Sequence, residues 1–306
     1  MRASKRITLL ALSLWLTSCL IGSIFPWDVV NQARDGMEQV RGVLLMADQT
    51  TAAGRIFLVG SSPTIIGISA KEIERQTGIP AFNIGVTDSA EFFDDYIGRI
   101  LPHIRKGDIV VLSDPRWLDP SRRKLAPGCT ERIATNCLGW WVGALPHLSL
   151  VTRFIFGLHQ SIEIARIERD AHGDYDVLDL SRLKKSVDTM LPPERIAVVD
   201  VKQMAGIIDE FRRYDACPLL ALGPVFISER DEVEWSSQVN SLQGAVFKAG
   251  YGRFLLADQV LQQDRANFLD SYEHPSAQER RNWTDRIISR LTDRSLGPCQ
   301  SLAAAR

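Results

Sequence analysis

The chain reads as short apolar runs set between amphipathic stretches. "RIFLVG" at 55–60 is a continuous apolar run closed by glycine, as expected of a strand buried on both faces. A helix-like segment follows it, and then "AKEIERQTG", which has helical spacing and ends on Gly78, a natural C-terminal stop. "PAFNIGV" (80–86) predicts a second strand. Residues 88–105 predict a helix, with Phe92, Phe93, Tyr96, Ile97, Ile100, Leu101 and Ile104 on one face, and "GDIVVLSD" (107–114) predicts a third strand. The alternation resumes with a helix near 201–214, a strand over "CPLLALGPVF" (217–226), a helix over 231–250, a strand over "GRFLLAD" (252–258) and a last helix over 276–292. Strands each followed by a helix imply an α/β fold: a three-layer α/β/α sandwich around a mostly parallel, five-stranded sheet.

Between these halves the regularity stops. Residues 115–200 carry Pro115, Pro120, Pro127, a "GWW" triplet, a helical piece near 149–169 and a polar stretch at 170–188, the pattern of an insertion over one end of the sheet. Trp117, Trp140 and Trp141 either line a groove there or form its small core. The α/β domain then spans 54–295, with a tail at 296–306.

The N-terminus is set apart by hydropathy. Arg2, Lys5 and Arg6 precede an uncharged run from Ile7 to Trp27, about the length that spans a bilayer as a helix, and Asp28 follows. The positive-inside rule then expects a cytoplasmic N-terminus and an exported body: a single-pass anchor over 1–27, a polar juxtamembrane segment over 28–53 and a periplasmic domain beyond. Two alternatives stand beside it. "LTSC" resembles a bacterial lipobox that would make Cys19 a lipidated first residue, and a cleaved secretory signal is the other.

Charge and cysteines narrow the picture further. With 306 residues, a formal net charge of -1 and no basic stripe, nothing points to a nucleic-acid partner. Cys129, Cys137, Cys217 and Cys299 follow Cys19. In an oxidising compartment they allow three pairings, and Cys129–Cys137 would close a short loop; unpaired buried thiols are the alternative. Neither a Cys-x-x-Cys motif nor a His pair at ligand spacing occurs, so no metal or other cofactor is expected.

In a parallel sheet the strand C-termini share one edge, so loops distant in sequence converge. The first such loop carries Gly60-Ser61-Ser62, the second Asn83 and Gly85, the third Ser113 and Asp114. "FLDSYEHPS" brings Asp270, Glu273 and His274 just before the last helix. Together these supply a nucleophile, a base, an orienting carboxylate and oxyanion donors, as acyl transfer needs. Ser62 is also an ordinary helix-capping residue type, and Gly85 an ordinary turn residue.

The order of these blocks resembles the SGNH/GDSL hydrolase superfamily. "GSS" looks like the first block, with Ser62 at the nucleophile. "NIG" matches the second, which implies an oxyanion donor in the Gly85 N–H. Asp270 and His274 resemble the fifth block. The resemblance therefore implies a flavodoxin-like layered fold and a triad of Ser62, His274 and Asp270. Three departures stand out: Ser61 replaces the usual Asp, Ser113 stands where an oxyanion asparagine is usual, and the Asp270–His274 spacing is one residue long. Glu273 or a backbone carbonyl is the alternative orienter. Membrane-anchored relatives with these blocks are similar to proteins that acetylate or deacetylate secreted polysaccharides. The expected activity is thus a periplasmic acyl-ester hydrolase or O-acyltransferase acting on acylated carbohydrate, with an integral-membrane acyl-transfer partner as a further expectation. A catalytically inactive relative that binds polysaccharide or scaffolds an export complex is the alternative.

Overall fold

An apolar tetrapeptide with no polar face can form a strand only where both faces are covered, and β1 (Ile56–Val59) is buried at every position. The computed structural model describes residues 27–52, 54–86, 93–113, 169–175, 201–227, 232–248, 261–262, 264–269 and 274–292. Within them β1 pairs in parallel with β2 (Ala81–Asn83) on one side and β3 (Ile109–Leu112) on the other, and β3 pairs in parallel with β4 (Cys217–Leu220). The sheet order is β2-β1-β3-β4. The chain leaves β1 in one direction, returns across it and continues in the other. Strand order therefore reverses between β1 and β3, the point where open parallel sheets leave a crevice at their C-terminal edge.

The helices follow from spacing and caps. α1 (Trp27–Gln49) buries Val40, Val43, Leu44 and Ala47, an i, i+3, i+4, i+7 stripe, against the core. The second half of the segment read as juxtamembrane is therefore packed on the domain. After β1 come α2 (Ser62–Gly67) and α3 (Ala70–Thr77). Ser69 caps α3 by accepting the Glu72 N–H, and Gly78 ends it at φ 71°, a left-handed conformation that glycine adopts without strain. α4 (Phe93–Ile100) gives way to a 3-10 turn at Leu101–His103, where Pro102 supplies no N–H to continue the α-helical ladder. α5 (Val201–Arg213) precedes β4, and α6 (Glu232–Lys248) buries Trp235, Val239, Leu242 and Val246 along one stripe. α7 (Ala277–Leu291) buries Trp283, Ile287 and Ile288, and Ser276 caps it by accepting the Glu279 N–H.

Two expectations need correction. The run 217–226 is not one strand: it breaks at Gly223-Pro224, and its end, β5 (Val225–Phe226), pairs instead with β6 (Leu261–Gln262) in a separate two-stranded parallel sheet. Pro224 has no N–H for a ladder and stands at the interruption, whereas Pro218 is accommodated within β4. The main sheet accordingly has four strands among the described residues, and the fifth expected one, 252–258, lies outside them. Of the 115–200 insertion only residues 169–175 are described. They run along the open side of β2, where the Asn83 N–H donates to the His172 carbonyl at 2.6 Å, so this piece covers a sheet edge. Trp117, Trp140 and Trp141 lie outside the described residues, as does the apolar run 7–26. Among the described residues no helix is long and apolar enough to cross a membrane. Cys217 is disulfide-bonded; Cys129, Cys137 and Cys299 lie outside the described residues.

Candidate functional site

The β1/β3 reversal is built on a residue without a side chain. A Cβ on Gly60 would collide with Thr64 Oγ1 and lie 2.9 Å from Ser113 Oγ. Gly60 therefore lets the first turn of α2 close down onto the end of β3, and its carbonyl is held by the Val86 N–H at 2.9 Å. Gly60→Ala is expected to cost about 1–3 kcal/mol through this overpacking, measured by urea unfolding. An unchanged stability would mean that the turn relaxes freely.

Ser61, not Ser62, occupies the N-cap of α2, with extended backbone angles and no side-chain capping bond. Ser62 is the first helical residue and Pro63 the second, where a missing N–H costs nothing. The Ser62 hydroxyl is therefore not consumed by capping. It is half-buried and lies 3.1 Å from Nε2 of His274, 212 residues away in sequence.

His274 is carried on a short, tightly closed segment. The Leu269 N–H donates to the His274 carbonyl at 2.8 Å, the Ser276 N–H donates to the Asn267 carbonyl at 2.6 Å, and Phe268 and Pro275 form an antiparallel bridge. Pro275 then seats against α2, where a Cβ on Gly67 would lie 3.4 Å from Pro275 Cγ. The β4–β5 break borders the same place, since a Cβ on Gly223 would lie 3.5 Å from Pro63 Cβ. Gly223 and Pro224 thus flank the site, a role invisible while 217–226 is read as one strand.

The remaining site residues read from the sequence divide sharply. Ser113 is buried; its hydroxyl pairs with Thr64 Oγ1 and reaches the Val59 carbonyl at 3.5 Å. The hydroxyl expected as an oxyanion donor is thus engaged with α2 and with the end of β1. The Gly85 N–H, the other expected donor, is engaged as well. It donates to Asn83 Oδ1 at 3.2 Å, and a Cβ on Gly85 would lie 2.8 Å from Ile65 Cγ1, so glycine serves close packing of the β2 exit on α2. Asn83 is fully buried; its Nδ2 faces the carbonyls of Thr64 (3.1 Å) and Ile68 (3.0 Å) and Oδ1 of Asp174 (3.3 Å). Asp114, Asp270 and Glu273 lie outside the described residues.

Several polar groups nearby escaped sequence reading. The Tyr96 hydroxyl donates to the Ile84 carbonyl at 2.6 Å, and burial raises its pKa above the ordinary phenol value. Arg169 donates to Gln39 Oε1 at 2.9 Å and lies over the Tyr175 ring at 5.4 Å; burial lowers its pKa. Asp174 and Arg280, both buried, form an ion pair at 3.2 Å. No sequence signal marks Asp174, which sits in a polar stretch. Among the described residues no group of three or more His, Cys, Asp or Glu side chains is placed to hold a metal ion.

A hydroxyl within hydrogen-bond reach of an imidazole nitrogen at the C-terminal edge of a parallel sheet has the arrangement that a serine nucleophile and its base require. With the ring proton on Nδ1, Nε2 accepts the Ser62 O–H and can take the proton as the oxygen attacks. No protein-family model, curated protein or solved structure matches the chain.

Proposed function

We propose that this chain is a serine-dependent acyl-ester hydrolase or O-acyltransferase that acts on acylated carbohydrate of the cell envelope or of a secreted polysaccharide. The observation that carries the reading is the 3.1 Å contact between Ser62 Oγ and His274 Nε2 at the strand-order reversal. The β2-β1-β3-β4 order also fits a flavodoxin-like three-layer sandwich of the SGNH type. The basic residues before the apolar run 7–27, together with the Cys217 disulfide, support a periplasmic domain held by a single-pass inner-membrane anchor.

In this mechanism His274 accepts the Ser62 proton as Oγ bonds to the ester carbonyl carbon. The tetrahedral species collapses when the C–O bond to the alcohol breaks and His274 returns the proton to the departing oxygen. Water, or a sugar hydroxyl, then attacks the acyl-serine and gives its proton to His274, which passes it to Ser62 Oγ as the bond between Oγ and the acyl carbon breaks. Asp270 is the proposed orienter of the imidazole. The Ser62 N–H, at the first position of α2 and without an acceptor among the described residues, is the proposed oxyanion donor. Gly85 joins it only if its N–H leaves Asn83.

A second reading, a catalytically silent protein that binds polysaccharide or scaffolds an export complex, draws on the engagement of both the Gly85 N–H and the Ser113 hydroxyl within the protein. Labelling of the full-length protein in membranes with a fluorophosphonate separates the two. The wild type is expected to be labelled, and Ser62→Ala and His274→Ala are not. A folded wild type that takes no label overturns the enzyme reading in favour of the silent one.

A further inference from the structure

Ser62 and His274 sit on elements that meet only through tertiary contacts, so something must set their separation. Directly behind α2 lies a buried polar cluster that touches both. Asn83 holds the Thr64 carbonyl in the middle of α2 at 3.1 Å and the Ile68 carbonyl at its C-cap at 3.0 Å. Arg280, on the first turns of α7, donates to the same Ile68 carbonyl at 3.3 Å and to the Tyr175 carbonyl at 3.0 Å. Asp174 joins them, pairing with Arg280 at 3.2 Å and accepting from Asn83 at 3.3 Å. It also accepts the Ser69 hydroxyl at 2.9 Å and the Ala70 and Lys71 N–H groups at 3.0 and 2.9 Å. A carboxylate from a distant segment thereby serves the open N-terminus of α3, where negative charge is favoured. Asn83, Asp174 and Arg280 are 0, 4 and 3 % exposed.

We propose that Asn83, Asp174 and Arg280 are positioning residues that set Ser62 against His274; the proposal rests on the serine–histidine reading above. The chain of contacts is direct. His274 precedes α7 by a few residues, Arg280 grips the end of α2 from α7, and Asn83 grips it from β2. A six-residue helix is about 9 Å long, so a tilt of about 10° at the gripped end moves Ser62 by about 1.5 Å. A displacement of that size breaks a hydrogen bond between heavy atoms 3.1 Å apart. Trp283, Ile287 and Ile288 already anchor α7 in the core, so the ion pair is not needed to dock that helix. Its planar fork instead fixes orientation, because one guanidinium spans the Asp174, Ile68 and Tyr175 oxygens and the single ammonium of lysine does not.

The test compares Arg280→Lys and Asp174→Asn with Asp108→Asn, a buried ion-pair variant at the opposite edge of the sheet. The first readout is the 15N signal of the His274 imidazole in the full-length protein, assigned by its loss in His274→Gln, with Ser62→Ala defining the unpaired position. The second is the fluorophosphonate labelling rate, and thermal midpoints provide the measure of general destabilisation. Arg280→Lys and Asp174→Asn are expected to move the His274 signal toward its Ser62→Ala position and to slow labelling by about 10–100-fold. Asp108→Asn is expected to lower the midpoint and move neither. A wild-type His274 signal in both cluster variants overturns the proposal even if their midpoints fall. Should Asp174→Asn not fold, Arg280→Lys, which keeps the charge, decides. A wild type that takes no label but whose His274 signal answers to Ser62 and to Arg280 refutes the enzyme reading and leaves the positioning role standing.

Discussion

Ser62→Ala is expected to lower acyl-ester turnover by about 10⁴-fold or more, His274→Ala by a similar factor, and the double variant by no more than the larger single loss. The non-additivity is the informative part. A serine whose hydroxyl lies 3.1 Å from Nε2 is a nucleophile only while that nitrogen takes its proton. Once either member is gone, the other has nothing further to contribute. Residual activity then belongs to whatever binds the ester and its oxyanion, for which the Ser62 N–H is the donor proposed here. Turnover of a chromogenic acetyl ester, measured for the four proteins, checks this. Two single losses that multiply in the double variant would mean that Ser62 and His274 act on the substrate separately, and the mechanism above would fall.

How much of this was legible in the sequence depended on whether the signal was local. The apolar runs at Ile56–Val59, Ile109–Leu112 and Cys217–Leu220 are strands in one parallel sheet, and the first two are buried throughout, because a short stretch without a polar face has few other ways to be buried. Gly78 ends α3 as its position in the pattern suggested. Ser62 and His274 were singled out by the order of the motif blocks and by their places next to a strand end and a helix start. The tasks of Gly85 and Ser113 were not legible. Whether an N–H or a hydroxyl faces a substrate or a neighbouring side chain is decided by Asn83 and Thr64, whose orientations exist only in the folded chain. Asp174 was hidden for the same reason: "RDAHGDY" reads as a solvated loop until Arg280 and the α3 N-terminus are brought to it. At 217–226 the sequence did carry a warning, Gly223-Pro224, and the apolar residues on either side outweighed it.

At the far edge of the sheet from Ser62, Asp108→Ala is expected to lower stability by about 3–5 kcal/mol, read as a fall in the urea midpoint. The Asp108 carboxylate accepts the Arg55 side chain at 3.1 and 2.6 Å, the Arg55 N–H at 3.0 Å and the Arg105 N–H at 2.7 Å. It thereby ties the entrance of β1 to the entrance of β3. The Arg55 and Asp108 side chains are 0 and 1 % exposed, so neither charge has water to fall back on. Arg55 reaches further, to the Ala47 carbonyl in the last turn of α1 at 2.9 Å and the His103 carbonyl at 2.6 Å, so one guanidinium joins α1, β1 and the 3-10 turn before β3. Removing the carboxylate leaves that buried charge only the longer contact to Asp48 Oδ1 at 3.7 Å, which is why the loss should exceed that of a surface ion pair. Replacing both partners, in Arg55→Met/Asp108→Leu, removes the poorly compensated buried charge and should destabilise less than Asp108→Ala alone. A double variant no better than the single would show that the lost bonds to Ala47, His103 and the two backbone N–H groups, rather than the charge, dominate the cost.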